Sequence, residues 1–136
     1  MRLTTIGPLI LAIVLGAACD KNSPTSPTTT STSPFTDTFT GELVPGSGAS
    51  RAFTTTSGGV VVVELIGTSL SPDAFLGLAV GIPTSGMVGC SPTVITRATI
   101  DTQLTAAVDA GTYCVRVFDV DGLPGPVAFT VGLTYP

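Results

Sequence analysis

Two carboxylates followed by a glycine stand in the segment "DVDG", where Asp119 and Asp121 are two residues apart. Oxygen ligands at this spacing can point at one hard cation, and Ca²⁺ takes about six to eight of them. The pair would supply part of that shell, with Asp37 or Asp73 and backbone carbonyls as further ligands. The alternative is structural, because Asp and Gly favour turns between strands. The sequence therefore predicts either a calcium site or a turn here.

The residues that enzymes use as nucleophile and base pairs are scarce in this chain. It has no histidine, so Ser–His and Cys–His pairs cannot form, and its only lysine is Lys21. The absence of histidine and of any CxxC segment argues against a zinc site. Carboxylates are scattered singly, and no G-x-S-x-G elbow occurs. We predict no catalytic residues, no cofactor except the candidate Ca²⁺, and no enzymatic activity. The alternative is a hydrolase with a carboxylate site.

Residues 1–18 have the organisation of a secretory signal peptide. Arg2 and the free amine give a short positive region, "LILAIVL" at residues 9–15 is the apolar stretch, and residues 16–18 are small. The apolar stretch is too short for a transmembrane helix, which needs about 20 residues. The chain is therefore predicted to be exported.

The segment "LGAAC" at residues 15–19 resembles the lipobox of bacterial lipoproteins, with Gly16 where that family usually has leucine. The resemblance implies a diacylglyceryl group on the Cys19 thiol, cleavage before Cys19, and a lipid anchor. Each buried CH₂ of such an anchor contributes about 0.8 kcal/mol. Ordinary signal cleavage at the same bond is the alternative. The expected location is the bacterial cell envelope, with the protein facing the periplasm or the exterior.

If Cys19 carries lipid, Cys90 and Cys114 remain as an even pair in an oxidising compartment. A disulfide between them would close a loop whose chain-entropy contribution is about 3–4 kcal/mol. Two buried free thiols are the alternative.

Residues 19–34 are the predicted lipid-bearing cysteine and a linker. Ser, Thr and Pro account for 12 of the 15 residues from 20 to 34, a composition that stays extended and solvated. Stretched at about 3.3 Å per residue, the linker spans about 50 Å. O-glycosylation of the Ser/Thr cluster is a sharper alternative to the role of a plain spacer.

Residues 35–136 have the period-two alternation of β-strands. The segment "VAFTVGLTY" at 127–135 has one apolar face, "GVVVVELIG" at 59–67 is apolar like a central strand, and "FLGLAVGI" at 75–82 alternates large and small residues. Its large residues are Leu76, Leu78, Val80 and Ile82, and its small ones are Gly77, Ala79 and Gly81. Further predicted strands cover residues 35–43, 50–55, 94–100, 103–108 and 112–120. About eight short strands separated by turns predict an antiparallel β-sandwich.

This segment resembles the bacterial pre-peptidase C-terminal (PPC) domain over nearly all of residues 35–136. The motifs are an F-x-G-x-L strand, an aromatic strand, a V-x-V-x-L strand and an L…AG-x-Y-x-V-x-V segment. They are carried by Phe39, Gly41 and Leu43, by Phe53, by Val61, Val63 and Leu65, and by Leu104, Ala110, Gly111, Tyr113, Val115 and Val117. The resemblance implies a jelly-roll-like, non-catalytic β-sandwich, in a family where some members are thought to bind polymers and some relatives bind calcium. Here the module is expected to stand alone behind its linker and lipid.

The net charge and the aromatic content of the chain limit the classes of ligand that it can bind. Removal of Arg2 with the signal leaves four basic against nine acidic residues, so no nucleic-acid partner is expected. There is no tryptophan, and Tyr113 and Tyr135 fall on apolar strand faces, which gives weak support to a sugar-stacking platform. Thr36, Thr38 and Thr40 form either a partner surface or a solvated face. The sequence predicts a binding module for an envelope polysaccharide or an exported protein. The alternative is a structural envelope spacer.

Overall fold

The computed structural model describes residues 33–85 and 89–136. The predicted signal peptide, Cys19 and the linker up to residue 32 lie outside the described residues. In the part of the chain that is described, no helix is long and apolar enough to cross a membrane. The strands are β1 (Phe35–Leu43), β2 (Gly48–Thr55), β3 (Gly59–Thr68), β4 (Leu76–Pro83), β5 (Cys90–Ala98), β6 (Gln103–Val108), β7 (Gly111–Asp119) and β8 (Val127–Tyr135).

The strands form two four-stranded antiparallel sheets packed face to face. Sheet 1 has the order β1-β8-β3-β6, and sheet 2 has the order β2-β7-β4-β5. Successive strands mostly alternate between the two sheets, which is the strand order of a jelly roll. The predicted fold class, an all-β sandwich of about eight antiparallel strands, is therefore confirmed.

The core lies between the sheets and is built from alternate residues of each strand. From β8, Val131 and Leu133 point inward and are almost completely buried, and Val115 and Val117 of β7 do the same from sheet 2. Each such side chain contributes about 1.5–3 kcal/mol when it is fully buried. Residues between them face outward, so each sheet has one apolar and one solvent-facing side.

Strands β1, β6 and β8 have their predicted bounds, whereas β4 and β5 differ where they pair. β5 begins at Cys90, four residues before the predicted start at Val94, and it ends at Ala98. A bulge after Val80 shifts the register of β4 against β5. Ile82 lies beyond this bulge and is 48% exposed, so its predicted place on the buried face is wrong. Alternation alone could not reveal the extra residue that the bulge places on β5.

A disulfide joins Cys90 at the start of β5 to Cys114 in β7, with Cα atoms 5.7 Å apart, which confirms the predicted pairing. β4 lies between these two strands in sheet 2. The start of β5 therefore folds over the end of β4: a Cβ on Gly81 would lie 2.0 Å from the Ser91 carbonyl oxygen. Only glycine leaves room for this crossing, and both cysteines are buried beneath it.

Candidate functional site

The two outer faces of the sandwich carry different side chains. The outer face of sheet 1, here named the threonine face, holds short hydroxyl and apolar side chains with two carboxylates and no basic residue. Its members are Thr36, Thr38, Thr40, Glu42, Val60, Val62, Glu64, Thr130, Gly132 and Thr134. The outer face of sheet 2, here named the arginine face, holds Arg97 and Arg116 together with the rings of Phe75 and Phe118. Two of the three arginines of the described residues therefore lie on one side, each beside an aromatic ring.

One row of residues crosses the arginine face from edge to edge. Gly48 of β2 pairs with Phe118 of β7, which pairs with Gly77 of β4, which pairs with Arg97 of β5. Paired residues of an antiparallel sheet point to the same side. The row thus places a single aromatic ring between two glycines, with an arginine at the sheet edge.

The two glycines allow the neighbouring side chains to lie on the sheet. A Cβ on Gly77 would come within 2.3, 2.5 and 2.6 Å of three atoms at the tip of the Phe118 ring. A Cβ on Gly48 would lie 2.8 Å from Nε of Arg116. The Phe118 ring therefore covers Gly77, and the guanidinium covers Gly48. The Cζ atom of Arg116 is 5.5 Å from the centre of the Phe118 ring, so the cation and the ring form one continuous patch.

A second cation–aromatic pair stands beside this patch. The Cζ atom of Arg97 lies 4.6 Å from the centre of the Phe75 ring. Arg97 also forms an ion pair with Asp121, and both side chains are about half exposed. A cation over an exposed ring is worth about 0.5–1 kcal/mol. Arg97 is thus occupied from two sides by groups of the protein itself.

Arg116 differs from the two other arginines of the described residues. Arg51 of β2 pairs with Asp37 of β1 at 2.7 Å, linking the edges of the two sheets, and Arg97 pairs with Asp121. Within residues 33–85 and 89–136, no carboxylate pairs with Arg116. A guanidinium presents five N–H donors in a planar fork. Arg116 therefore retains donors for an anionic group from outside the chain.

The two carboxylates of the predicted calcium site do not converge on a common point. The Asp119 side chain accepts hydrogen bonds from three backbone N–H groups: Gly46 at 2.8 Å, Gly122 at 2.7 Å and Leu123 at 2.9 Å. These bonds, that from Leu123 foremost, lower the pKa of Asp119 below its usual value. Asp121 instead points to Arg97.

Through these bonds Asp119 fastens the β1–β2 turn to the β7–β8 loop. Of the two further ligands considered, Asp37 pairs with Arg51. Across the described ranges, no group of three or more His, Cys, Asp or Glu side chains is arranged to hold a metal ion. A calcium site at Asp119 and Asp121 stays a prediction.

The tyrosines belong to the interior rather than to the arginine face. The Tyr113 hydroxyl donates to the Asp109 carbonyl at 3.0 Å, and its ring stacks on Phe53 with centres 5.9 Å apart. Tyr135 packs against Phe53 and Phe35. Sequence reasoning considered tyrosine and tryptophan as stacking residues and missed the outward phenylalanines. The available signal was the run of small residues at alternate positions of β4, which is where the Phe118 ring lies.

Two clefts lie at the loop end of the sandwich, away from the arginine face. The more enclosed one, about 180 Å³, is lined by the β3–β4 loop and the β5–β6 turn, including Leu70, Pro72 and Ile100. Its lining contains hydroxyl and apolar groups and no charged side chain. It offers neither an acid nor a base to a reacting molecule.

Comparisons with known proteins identify the fold only. Neither a family model nor a curated protein sequence matches the chain. The crystal structure of PliG from Aeromonas hydrophila, a periplasmic lysozyme inhibitor of g-type lysozyme, is similar with a TM-score of 0.50. The alignment has 15% identity and covers 74% of this chain and 86% of PliG. The Yersinia pseudotuberculosis-derived mitogen aligns with a TM-score of 0.49 and 17% identity, over 74% of this chain and 84% of the mitogen. The similarity to PliG agrees with the β-sandwich architecture.

Proposed function

We propose that this protein is an exported, lipid-anchored, non-catalytic binding module of the bacterial cell envelope, and that it binds an anionic partner through the arginine face. The observation that carries the proposal is Arg116, a cation without a carboxylate partner in the described residues, held flat beside an aromatic ring. Glycines beneath both side chains keep this patch accessible from outside the sheet. Gly48 and Gly77 thus leave the space in which the Arg116 guanidinium and the Phe118 ring lie.

Charge distribution supports an anionic partner. The chain carries five basic and nine acidic residues. Among the described residues there are three basic side chains, and two of them, Arg97 and Arg116, lie on the arginine face. Asp121 neutralises Arg97, which leaves about one uncompensated positive charge on a negatively charged molecule. Local complementarity of this kind fixes the register and choice of a partner.

Export and anchoring come from residues outside the described ranges and stay predictions. The signal-like residues 1–18, the lipobox-like "LGAAC" and the Ser/Thr/Pro-rich linker support a head tethered through Cys19. In this arrangement the linker lifts the sandwich away from the bilayer. Mass spectrometry of the native protein should find an acylated Cys19 as the N-terminus, and an unmodified N-terminus would contradict the anchor.

Membership of the PPC family also stays a proposal, supported by the roles of its motif residues. A Cβ on Gly41 would lie 2.7 Å from Cζ of Phe129, so the F-x-G-x-L strand needs its glycine. The AG-x-Y segment places the Tyr113 hydroxyl on the Asp109 backbone. PliG, which shares the sandwich fold, is a periplasmic inhibitor of g-type lysozyme, so a non-catalytic role in the envelope is compatible with the fold.

The test is binding of the purified full chain, in mild detergent, to envelope fractions of its host. We expect saturable binding that the double substitution Arg116→Gln with Phe118→Leu removes. Arg51→Gln is the matched control, because it deletes an arginine of the same sandwich outside the arginine face. Binding that fails to saturate would favour the envelope-spacer alternative. Saturable binding that survives the double substitution would place the partner on another surface and contradict the assignment.

A further inference from the structure

We infer that the anionic partner is a carboxylate-bearing polysaccharide, with one sugar ring stacked on Phe118 and its carboxylate bound by Arg116. This inference rests on the proposed function, because it names the chemistry of the partner that occupies the same face. A sugar acid places an apolar ring face and a planar anion within one unit. The patch places an aromatic ring and a planar cation side by side.

Arg116 is positioned to recognise the carboxylate. Its guanidinium lies over Gly48, with Nε and an Nη atom 2.8 and 3.0 Å from the position of a Gly48 Cβ. Lying flat on the sheet, it points no donor into the core and has no carboxylate partner among the described residues. The planar fork of arginine matches the two oxygens of a carboxylate in a bidentate arrangement. Lysine at this position would supply the charge without that geometry.

Phe118 is positioned to receive the sugar ring. Its ring covers Gly77, the Cζ atom of Arg116 lies over the ring at 5.5 Å from its centre, and the residue stays partly exposed. The face of an aromatic ring carries partial negative charge. The C–H groups on one side of a pyranose carry partial positive charge and form a flat surface of similar size. Stacking therefore orients the sugar and brings its substituents toward the neighbouring guanidinium.

Neither described cleft opens on the arginine face, which favours a polysaccharide over an acidic protein. Beside the patch, the row through Arg116 contains Ser50, the buried Ala79, and Ile95, which is 58% exposed at the sheet edge. Protein partners concentrate their binding energy in anchor side chains that fill pockets. The two clefts described above lie at the loop end and not on this face.

The amount of charge favours a sugar acid over a nucleic acid. Arg97 is paired with Asp121, so Arg116 is left as about one free positive charge. Nucleic-acid sites neutralise several phosphates along a basic track, because double-stranded DNA has about one charge per 1.7 Å. A polymer with one carboxylate per sugar unit matches a single guanidinium.

The experiment uses two forms of one polymer, polygalacturonate and its methyl ester, which share a backbone and differ in the carboxylate. The full chain in mild detergent is titrated with each by calorimetry, and poly-L-glutamate serves as an acidic peptide. We expect saturable binding of polygalacturonate, and binding weaker by about tenfold or more for the ester, as loss of charge-assisted hydrogen bonds predicts. Poly-L-glutamate should bind as weakly as the ester, because it offers carboxylates without a ring.

Three variants assign the contacts. Arg116→Gln and Phe118→Leu should each weaken polygalacturonate binding by about tenfold, the size of one bidentate or one stacking contact. Arg51→Gln should leave it within about twofold, because a residue outside the site adds independently. Thermal unfolding checks that each variant is folded. The comparison of polymer and ester uses the wild-type chain, so it remains decisive if a variant fails to fold.

The outcomes separate this inference from the proposed function. Equal binding of polymer and ester, or stronger binding of poly-L-glutamate, would overturn the sugar-acid assignment and leave an anionic partner in place. Failure of all three probes, with envelope binding that still depends on Arg116 and Phe118, would do the same. If envelope binding is also absent, the proposed function fails with it. A polygalacturonate affinity that falls in Arg51→Gln as much as in Arg116→Gln would contradict the site.

Discussion

The threonine face and the arginine face follow the same alternation of inward and outward residues, but their glycines do different work. On the threonine face, a Cβ on Gly132 would meet only the tip of Ile66, at 3.7 Å. On the arginine face, Gly77 and Gly48 are covered by Phe118 and Arg116. An outward glycine in a strand can therefore mark open surface, or it can leave space for a neighbouring side chain to lie on the sheet. The register of the adjacent strand decides between them.

The largest expected effect comes from removing the disulfide, which links two strands of sheet 2. The Cys90–Cys114 disulfide lies on the outer side of sheet 2, and sheet 1 contains neither of these cysteines. Replacing both cysteines by alanine should lower the free energy of unfolding by about 3 kcal/mol, because the unfolded chain loses its loop constraint. Urea unfolding of the full chain measures this, with the reduced wild-type protein as a second reference. An unchanged midpoint would show that the crossing of β5 over β4 holds without the bond.

The next effect compares the two kinds of glycine directly. Gly77→Ala should lower the free energy of unfolding by about 1–3 kcal/mol, because the new methyl group displaces the Phe118 ring. Gly132→Ala is its matched control in the opposite sheet. It should raise the free energy of unfolding by about 0.4–1 kcal/mol, since the site has room and the unfolded chain loses freedom. Equal effects of the two substitutions would show that the covered Gly77 and the open Gly132 do not differ.

The Asp119 carboxylate makes the stability of the fold depend on pH. Its pKa is lowered in the folded protein by backbone N–H donors. A depressed folded pKa means that the stabilisation is fully present above the unfolded pKa of about 3.9 and is lost as the pH falls from there through the lower folded pKa. Thermal unfolding should be measured between about pH 6 and pH 3, where carboxyl groups titrate. The wild-type protein should lose more stability over this range than Asp119→Asn. Identical pH profiles for the two proteins would count against this role.

The smallest effect is expected on the threonine face. Thr40 is exposed on the edge strand β1 of that face and pairs with Thr130 of β8. Thr40→Ala should change the free energy of unfolding by less than about 0.5 kcal/mol, as for surface positions generally. Envelope binding should also be unchanged. A marked loss of binding in this variant would move the partner surface from sheet 2 to sheet 1.

The architecture was accessible from the sequence because burial imposes a strict period on a strand. Val127 to Tyr135 alternate without interruption, and β8 has the predicted bounds. The disulfide followed from counting cysteines. What failed was local: Ile82 and the start of β5 depend on a bulge, and a bulge is set by pairing between strands. The two sheets' strand order likewise depends on contacts between distant segments.

The arginine face was only partly accessible from the sequence. Alternation along the predicted strand 112–120 puts Cys114, Arg116 and Phe118 on one strand face, but a strand face does not say which way a side chain leans. That direction depends on Gly48 and Gly77, which lie far away in sequence and become neighbours only through the sheet register. The Asp119 and Asp121 pair also depends on contacts that spacing does not show. Spacing suggested a shared cation, whereas backbone donors and Arg97 take up the two carboxylates separately.

The ion pair between Asp37 and Arg51 has a consequence for self-association. Each of these residues sits on an outermost strand, β1 or β2, where unpaired backbone groups invite another chain to dock. A strand that added itself at either margin would have to separate the pair and strip water from a charge. We therefore expect no docking of another chain at the β1 and β2 margin, and we expect that replacing both residues by valine causes aggregation that light scattering detects.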